Sequence, residues 1–399
     1  MAHDGLSRSP GTAAMMGMGF LPRSVVLLGV VSLLNDTASE MITPLLPLFL
    51  TATLGAGPAV VGLVEGLAET TSSLLKLVSG RLADRGWSHK RLVVGGYTVS
   101  NAARPLMALA LGWTSVMVLR FLDRVGKGLR TAPRDALISA AVDAGSRGRA
   151  FGFHRAMDHA GAMLGPLLAF GLLQSGVGMR DVFLYSAVPG VLLILVLVIC
   201  LPSRPPAAGL PVPRFRWRAL DLRARALILS AGGLALAAAP EAFLVLWASD
   251  AGIRVAWVPL IWAAAHATRA LVATPAGMLS DGLGRIPVVA LGWLGRISLL
   301  LAFAFLPVGG LMVWVLFLAY AAATAFSEGA ERALIGDFAP RAQAGTVFGL
   351  YHLICGLFAL PGALLFGSLW QWFNMETAFS VAAVLTALSA GAFLVLAKQ

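Results

Sequence analysis

The chain is a succession of apolar segments about 20 residues long, separated by short stretches rich in Gly, Pro, Arg and Asp. About 20 apolar residues are what a helix needs to cross a bilayer. Of the 399 residues, 58% are hydrophobic and 12% are charged, whereas soluble domains carry about 25% charged residues. The sequence therefore predicts an all-α polytopic membrane protein with almost no soluble domain, whose function lies within the membrane.

The segments predict twelve transmembrane helices in two groups of six. The first six lie at about 24–52, 58–81, 91–111, 115–142, 149–175 and 181–201, and the second six at about 226–248, 255–279, 286–306, 309–336, 344–371 and 375–397. The matching domain division is a cytoplasmic tail at 1–23, a first half at 24–201, a linker at 202–225 and a second half at 226–399.

Lys and Arg accumulate in alternate connections, as in the loop that holds Arg81, Arg85, Lys90 and Arg91. Because such residues mark the cytoplasmic side of short loops, we expect both termini and the linker to be cytoplasmic. The first twenty residues lack an apolar region that ends in a cleavage site, so we expect no cleavable signal peptide. The expected location is the bacterial cytoplasmic (inner) membrane, crossed many times.

An internal repeat appears when the chain is shifted by 197 residues against itself. Gly80 and Asp84 then meet Gly277 and Asp281, and several further glycines coincide in the later spans. A constant offset through five spans indicates two pseudo-symmetric six-helix halves. Transporters built from such repeats bind their substrate near the membrane midplane, between the halves.

The fourth predicted span is unusually charged for a helix in lipid. Its seven charged residues fall within an arc of roughly 140° on one helix face, and they are Arg120, Asp123, Arg124, Lys127, Arg130, Arg134 and Asp135. Ionisable residues inside a membrane are costly and normally face the bundle interior or a water-filled cavity. The cation surplus needs either carboxylates from other helices, in a fixed ion-pair lattice, or an anionic ligand.

Carboxylates that could meet those cations lie on the first two spans. Asp36 and Glu40 are four residues apart in the first, and Glu65 and Glu69 are four apart in the second. They either partner the cations or bind and release protons and so couple a proton gradient to conformational change. The proton-coupling candidates are Asp36, Glu40, Glu69, Arg120 and Asp123.

The substrate-binding candidates are drawn from the other charged or titratable residues of the spans. They are Arg124, Lys127, Arg134, His154, Glu241, His266, Glu328 and Glu331. The repeat pairs Arg134 and Asp135 with Glu331 and Arg332, which inverts the charge order between the halves. That inversion favours a zwitterionic ligand held between the halves, or reflects local pairing only. The third, sixth, ninth and twelfth spans hold at most one charge each in their interiors, and we expect them to face lipid.

Three motifs resemble those of the bacterial major facilitator superfamily, over essentially the whole chain after residue 20. One is similar to the superfamily's G-x-x-x-D-R gate motif, with Gly80, Asp84 and Arg85 in one copy and Gly277, Asp281 and Arg285 in the other. The segment from Arg120 to Gly128 is similar to the R-x-x-x-G-x-G-x-G segment, whose Arg is tied to proton coupling in exporters. Gly152, Gly161, Gly165 and Pro166 look like the antiporter motif of drug and metabolite exporters.

The resemblance implies a twelve-helix fold that works by alternating access, with the paired Asp residues locking the cytoplasmic side. The strings 34–41 and 126–135 also look like a bacterial subgroup in which some members are associated with siderophore traffic and many are labelled efflux proteins. The predicted function is proton-coupled export, by antiport, of a small organic anion or zwitterion. The alternative is proton-coupled import of a metal-siderophore or similar chelate.

Other function classes lack their motifs in this sequence. A G-x-S-x-G turn is missing, so we do not expect an enzyme, and a G-x-x-x-x-G-K-[ST] loop is missing, so we do not expect ATP to be the driver. We expect no metal site and no cofactor, because the six histidines show no metal-ligand spacing. The expected partners are a small-molecule substrate, protons and the lipid bilayer, with no nucleic acid, and the chain is expected to act as a monomer.

Overall fold

The computed structural model describes residues 21–85, 87–143, 147–201, 222–306, 309–338 and 344–396, and within these ranges the chain is helical and contains no strand. The α-helices are α1 Arg23–Ile42, α2 Leu46–Leu48, α3 Pro58–Asp84, α4 His89–Leu106, α5 Trp113–Ala140, α6 Arg147–Gln174, α7 Met179–Tyr185, α8 Ala187–Cys200, α9 Leu222–Ala237, α10 Glu241–Asp250, α11 Val258–Leu283, α12 Arg285–Phe305, α13 Leu311–Phe338, α14 Ala344–Trp372 and α15 Met375–Leu396. The predicted linker at 202–225 lies outside the described residues as far as residue 221, and α9 begins within its last four positions.

Several consecutive helices follow one another with only a short break and together form a longer helical segment. After α1, the chain continues through α2 into a π-helical turn at Phe49–Thr53. The break between α9 and α10 falls at Pro240, whose ring fixes φ and whose nitrogen has no hydrogen to donate to a helix. The break matters for the site described below, because it starts a new helix at Glu241.

Nine helical segments of the described residues are long and apolar enough to cross a membrane. The long helices outside this group are α3, α4 and α5, which carry the charges noted in the second to fourth predicted spans. The prediction of twelve transmembrane helices requires these three to cross as well. For them, the crossing stays a prediction.

One pair of glycines related by the 197-residue offset makes equivalent contacts in the two halves. Gly165 of α6 packs against the backbone of α1 at the Thr37 carbonyl, and Gly362 of α14 packs against the backbone of α9 at the Leu236 carbonyl. A Cβ atom at either position would collide with these carbonyl oxygens. At this position the repeat seen in the sequence is also present in the packing of the helices.

Apolar packing joins the two halves on one side of the bundle. We call the side where α1 begins and α15 ends the terminus side, and the other the opposite side. The largest apolar core lies on the opposite side and draws on both halves, with Phe49 and Phe183 from the first and Phe243, Trp247 and Phe303 from the second. Two smaller cores on the terminus side are each confined to one half. The halves are thus sealed together by apolar side chains on the opposite side.

Candidate functional site

A cavity of about 350 Å³ lies between the two halves. Its volume is within the range of small-molecule sites, about 300 to 1,000 Å³. Its charged or titratable lining residues come from five helices: Glu40 of α1, Glu65 and Glu69 of α3, Arg120, Arg124 and Lys127 of α5, Glu241 of α10 and His266 of α11. The structure therefore brings together three of the proton-coupling candidates and four of the substrate-binding candidates.

The wall formed by α5 holds two cations that have no hydrogen-bonded carboxylate among the described residues. Arg120 already forms an ion pair, because its Nη2 lies 3.1 Å from Glu65 Oε2. Arg124 Nε lies 3.8 Å from Asp123 Oδ2, beyond hydrogen-bond distance, and this buried nitrogen has no hydrogen-bond partner. Lys127, one turn further along α5, forms no ion pair with any described residue while lining the same cavity. Arg124 and Lys127 are thus available to an anionic group.

A hydrogen bond joins the two halves at the cavity wall. Trp262 Nε1 of α11 donates to Glu40 Oε2 of α1 at 2.9 Å, and His266 Nε2, one turn further along α11, lies 3.9 Å from the same oxygen. Glu40 therefore links the cavity directly to the contact between the halves, whereas Glu69 of α3 accepts a 3.4 Å hydrogen bond from the Ser73 hydroxyl on its own helix.

Glu241 takes its place at the cavity because Pro240 interrupts the helical segment formed by α9 and α10. It is the first residue of α10 and forms an ion pair with Arg269 of α11. Both partners belong to the second half, so this pair does not bridge the halves. Glu241 is consequently a neutralised carboxylate within the lining.

The glycines of the antiporter-like motif explain how α6 approaches α1 beside its carboxylates. A Cβ atom at Gly161 would lie 3.0 Å from the Asp36 Cβ, and one at Gly165 would lie 3.0 Å from the Glu40 Cβ. Gly152 has open space around it, and Pro166 lies inside α6. Gly161 and Gly165 thus set the distance between α6 and the helix face that carries the acidic side chains.

Asp123 lies in a buried polar lattice outside the cavity lining. It is 0% exposed, and its Oδ1 lies 2.9 Å from Arg104 Nε of α4. Arg104 Nη1 also donates to the Asn35 and Asn101 side-chain oxygens, each at 3.1 Å. The ion-pair lattice that the sequence left open as an alternative exists here. The expectation that the third span simply faces lipid missed Arg104, which is buried inside the first half.

The remaining candidates lie away from the cavity and are engaged elsewhere. Asp36 accepts a 2.8 Å hydrogen bond from the Asn35 amide on its own helix. Of the substrate-binding candidates, Glu328 does not line the cavity. The other three pair locally: Arg134 Nη2 lies 2.9 Å from Asp135 Oδ1, His154 Nδ1 lies 3.4 Å from Asp158 Oδ2, and Trp293 Nε1 donates to Glu331 Oε1 at 2.6 Å.

The gate residues lie on the terminus side of the bundle. Arg85 and Asp281 are exposed, and Gly80 and Gly277 are not closely packed. Arg285 Nε lies 2.6 Å from Asp337 Oδ2 within the second half. The side chain of Asp84 lies outside the part of the chain that the structure describes. Among the described side chains, no ion pair joins the two copies of the motif across the halves.

Among the lining residues that were absent from the predicted site, two make the side-chain contacts described above. Glu65 was considered only as a counter-charge, and its ion pair with Arg120 brings it to the cavity. Trp262 gave no charge signal, and its spacing of one helical turn before His266 was the available indication that it shares that residue's face. The described residues contain no group of three or more His, Cys, Asp or Glu side chains that could hold a metal ion.

A charged cavity between two repeated helical halves defines a membrane transport protein. The family model of the Major Facilitator Superfamily matches residues 28–357, so the chain belongs to this superfamily. It is a transporter and not an enzyme.

Three similar proteins illustrate the range of relatives. An uncharacterized MFS-type transporter of Methanocaldococcus jannaschii is 31% identical over 376 residues, which cover 92% of this chain and 94% of that protein. The multidrug resistance protein MdtH of Yersinia pestis is 31% identical over 134 residues, 34% of this chain and 33% of that protein. The crystal structure of a bacterial homolog of the human lysosomal transporter Spinster shares the fold, with a TM-score of 0.78, 18% identity and coverage of 95% of this chain and 98% of that one.

Proposed function

We propose that the chain is a secondary active transporter that exports a small organic anion or zwitterion in exchange for protons. The observation that carries this proposal is the pair Arg124 and Lys127, which line the cavity without a carboxylate hydrogen-bonded to either side chain among the described residues. Buried cations need compensation, and an anionic group of a bound substrate supplies it. The twelve-helix arrangement in two halves, the location in the bacterial cytoplasmic membrane and action as a monomer belong to the same proposal.

Alternating access is supported by where the halves touch. The shared apolar core lies on the opposite side, and each core on the terminus side belongs to one half. With the termini in the cytoplasm, this conformation exposes the cavity toward the cytoplasm, where an exporter loads its cargo. A rocking motion that parts the shared core and closes the terminus side would release the cargo outside.

Proton coupling is assigned to the acidic residues of the first half. Glu40 and Glu69 line the cavity, and Asp36 lies one turn before Glu40 on α1. A carboxylate that faces the cavity meets each side of the membrane in turn, so it can be protonated outside and deprotonated inside. Glu40 is the leading candidate, because protonation would also alter its hydrogen bond with Trp262 of the other half.

Export is favoured over uptake by two features. Gly161 and Gly165 of the antiporter-like motif pack α6 onto α1 beside the acidic residues. The partial similarity to MdtH, a multidrug resistance protein, points the same way. Import of a metal-siderophore or similar chelate on the same fold is the alternative that the following experiment decides.

Everted membrane vesicles with an acidic lumen, monitored by a pH-gradient dye, test the proposal. Organic anions, zwitterions, cations and ferric chelates are added in turn. We expect one anion or zwitterion class to release luminal protons, and Glu40→Gln combined with Glu69→Gln to abolish the release. The matched control is Glu376→Gln, at an exposed carboxylate near the start of α15. A flat trace, with chelate uptake in right-side-out vesicles, would contradict export and establish import.

A further inference from the structure

We propose that the cavity selects a net-neutral zwitterion over a simple anion or cation of the same size. This inference rests on the proposed function only in taking the cavity as the substrate site. A zwitterion is one of the two ligand classes named in the proposed function. The protein itself neutralises some of the charges that line the cavity, and the others are left for a ligand.

The protein itself neutralises part of the charge that lines the cavity. Four carboxylates and three Arg or Lys side chains line the cavity. Glu65 is paired with Arg120 of the lining, and Glu241 is paired with Arg269 behind it. Once these two pairs are set aside, the lining charges that remain are Glu40 and Glu69 against Arg124 and Lys127. With His266 counted as neutral, the remaining charges balance.

A bound ligand adds its own charge to the balanced charges of the cavity. A simple anion would leave the occupied cavity with one unbalanced negative charge, and a simple cation would leave one positive charge. An unbalanced charge within the low-dielectric interior of a bundle is strongly unfavourable. A zwitterion leaves the total unchanged. Neutrality of the occupied site therefore favours a ligand that carries both signs.

The remaining cations and the Glu69 carboxylate lie on neighbouring helices. Arg124 and Lys127 lie one turn apart on α5, and Glu69 lies on α3, which packs directly against α5. Although they line one cavity, no ion pair joins Glu69 to either cation. A ligand with an anionic end at Arg124 and Lys127 and a cationic end at Glu69 would satisfy both groups at once. Ion pairs of this kind contribute more at a desolvated site than in water.

Matched probe triplets measure the charge preference directly. The aliphatic triplet is ε-aminocaproate, caproate and hexylamine, and the aromatic one is para-aminomethylbenzoate, para-toluate and para-methylbenzylamine. Binding to the purified full-length protein is measured by calorimetry and by thermal stabilisation. We expect at least one zwitterion to bind roughly tenfold or more tightly than its own anion and cation.

Two variants assign the ends of the ligand. Lys127→Gln should weaken the zwitterion and shift the preference toward the cation, whereas Glu69→Gln should shift it toward the anion. Glu376→Gln, outside the cavity, should leave the preference unchanged, and the melting temperature without probe shows that each variant is folded. Tighter binding of an anion or cation than of its zwitterion, variants that leave the preference unchanged, or no binding of either zwitterion would overturn the inference.

The outcomes separate this inference from the proposed function. Selective zwitterion binding without any proton movement in vesicles would overturn proton-coupled export and leave the charge selectivity standing. Proton-coupled export of a simple anion, with no response to its zwitterionic counterpart, would overturn the selectivity and leave the proposed function standing.

Discussion

Gln371 at the end of α14 accepts a hydrogen bond from the backbone N–H of Ala59 in the first turn of α3, at 3.1 Å. The first N–H groups of a helix have no partner within that helix, and α3 has no side-chain cap of its own. The second half therefore supplies the missing cap to the first half, on the opposite side of the bundle. In the alternating-access cycle proposed above, parting the halves on that side would break this hydrogen bond.

We expect Gln371→Ala to shift the equilibrium toward the conformation that is open on the opposite side, because it removes a contact made only in the closed one. Loss of a cap costs about 1 kcal/mol, which is a several-fold change in population. Distances between spin labels on the two halves, measured by pulsed electron resonance, report that population. Asn374→Ala is the matched control, since Asn374 caps Thr377 within the second half. An equal shift in both variants would contradict the cross-half explanation.

Gly165→Ala should destabilise the protein and reduce transport. Its added Cβ would meet the backbone of α1 at Thr37 and Glu40, which cannot move aside as a flexible side chain can. Overpacking of this kind costs about 1 to 3 kcal/mol. Melting temperature and vesicle transport are the measurements. Gly152→Ala, in the same helix and motif but with open space around it, should behave as the wild type.

Trp262→Phe should uncouple substrate movement from proton movement more than it affects stability. Phenylalanine keeps an aromatic ring but cannot donate to Glu40, so the hydrogen bond across the halves is lost. The measurement is the ratio of protons released to substrate transported in everted vesicles. Trp293→Phe removes a similar indole–carboxylate bond, to Glu331, inside the second half. An unchanged ratio in Trp262→Phe would rule out this role for the bond.

Arg104→Leu should lower stability strongly, because it leaves Asp123 buried without its 2.9 Å partner. Breaking a buried ion pair by removing one partner costs about 3 to 5 kcal/mol. The double variant Arg104→Leu, Asp123→Leu should recover part of that loss, since neither charge of the 2.9 Å pair remains. Asp337→Asn, which breaks the half-exposed pair with Arg285, is expected to cost less than about 1 kcal/mol. Thermal unfolding of the purified variants checks all three.

The sequence predicted the class of fold because apolar length, the repeat and the charged faces are all properties of single helices. It also identified cavity residues such as Lys127 and His266, since an ionisable group in a membrane span normally faces the bundle interior or a water-filled cavity. It did not separate Lys127 from Arg134, although both lie on the charged face of α5. Arg134 pairs with Asp135, its neighbour on α5, whereas a partner for Lys127 depends on which side chains the other helices place at its depth.

Contacts made by uncharged side chains could not be predicted from the sequence either. Trp262 and Gln371 act through single hydrogen bonds to the other half, and nothing in their neighbours along the chain indicates those partners. Gly161 and Gly165 were recognised by their spacing, but not the fact that they face Asp36 and Glu40. Pairing between distant segments is set by the assembled bundle, so only the structure reveals it.

The three consecutive helices that fall outside the group apolar enough to cross a membrane, α3, α4 and α5, bear on how the protein is made. Each would enter lipid alone at a considerable cost, because its charges would face hydrocarbon. Arg104 of α4 and Glu65 of α3 compensate the charges of α5 only once the helices are side by side. If α3, α4 and α5 cross the bilayer as predicted, we expect them to be retained at the insertion machinery during synthesis and released together, with their ion pairs already formed.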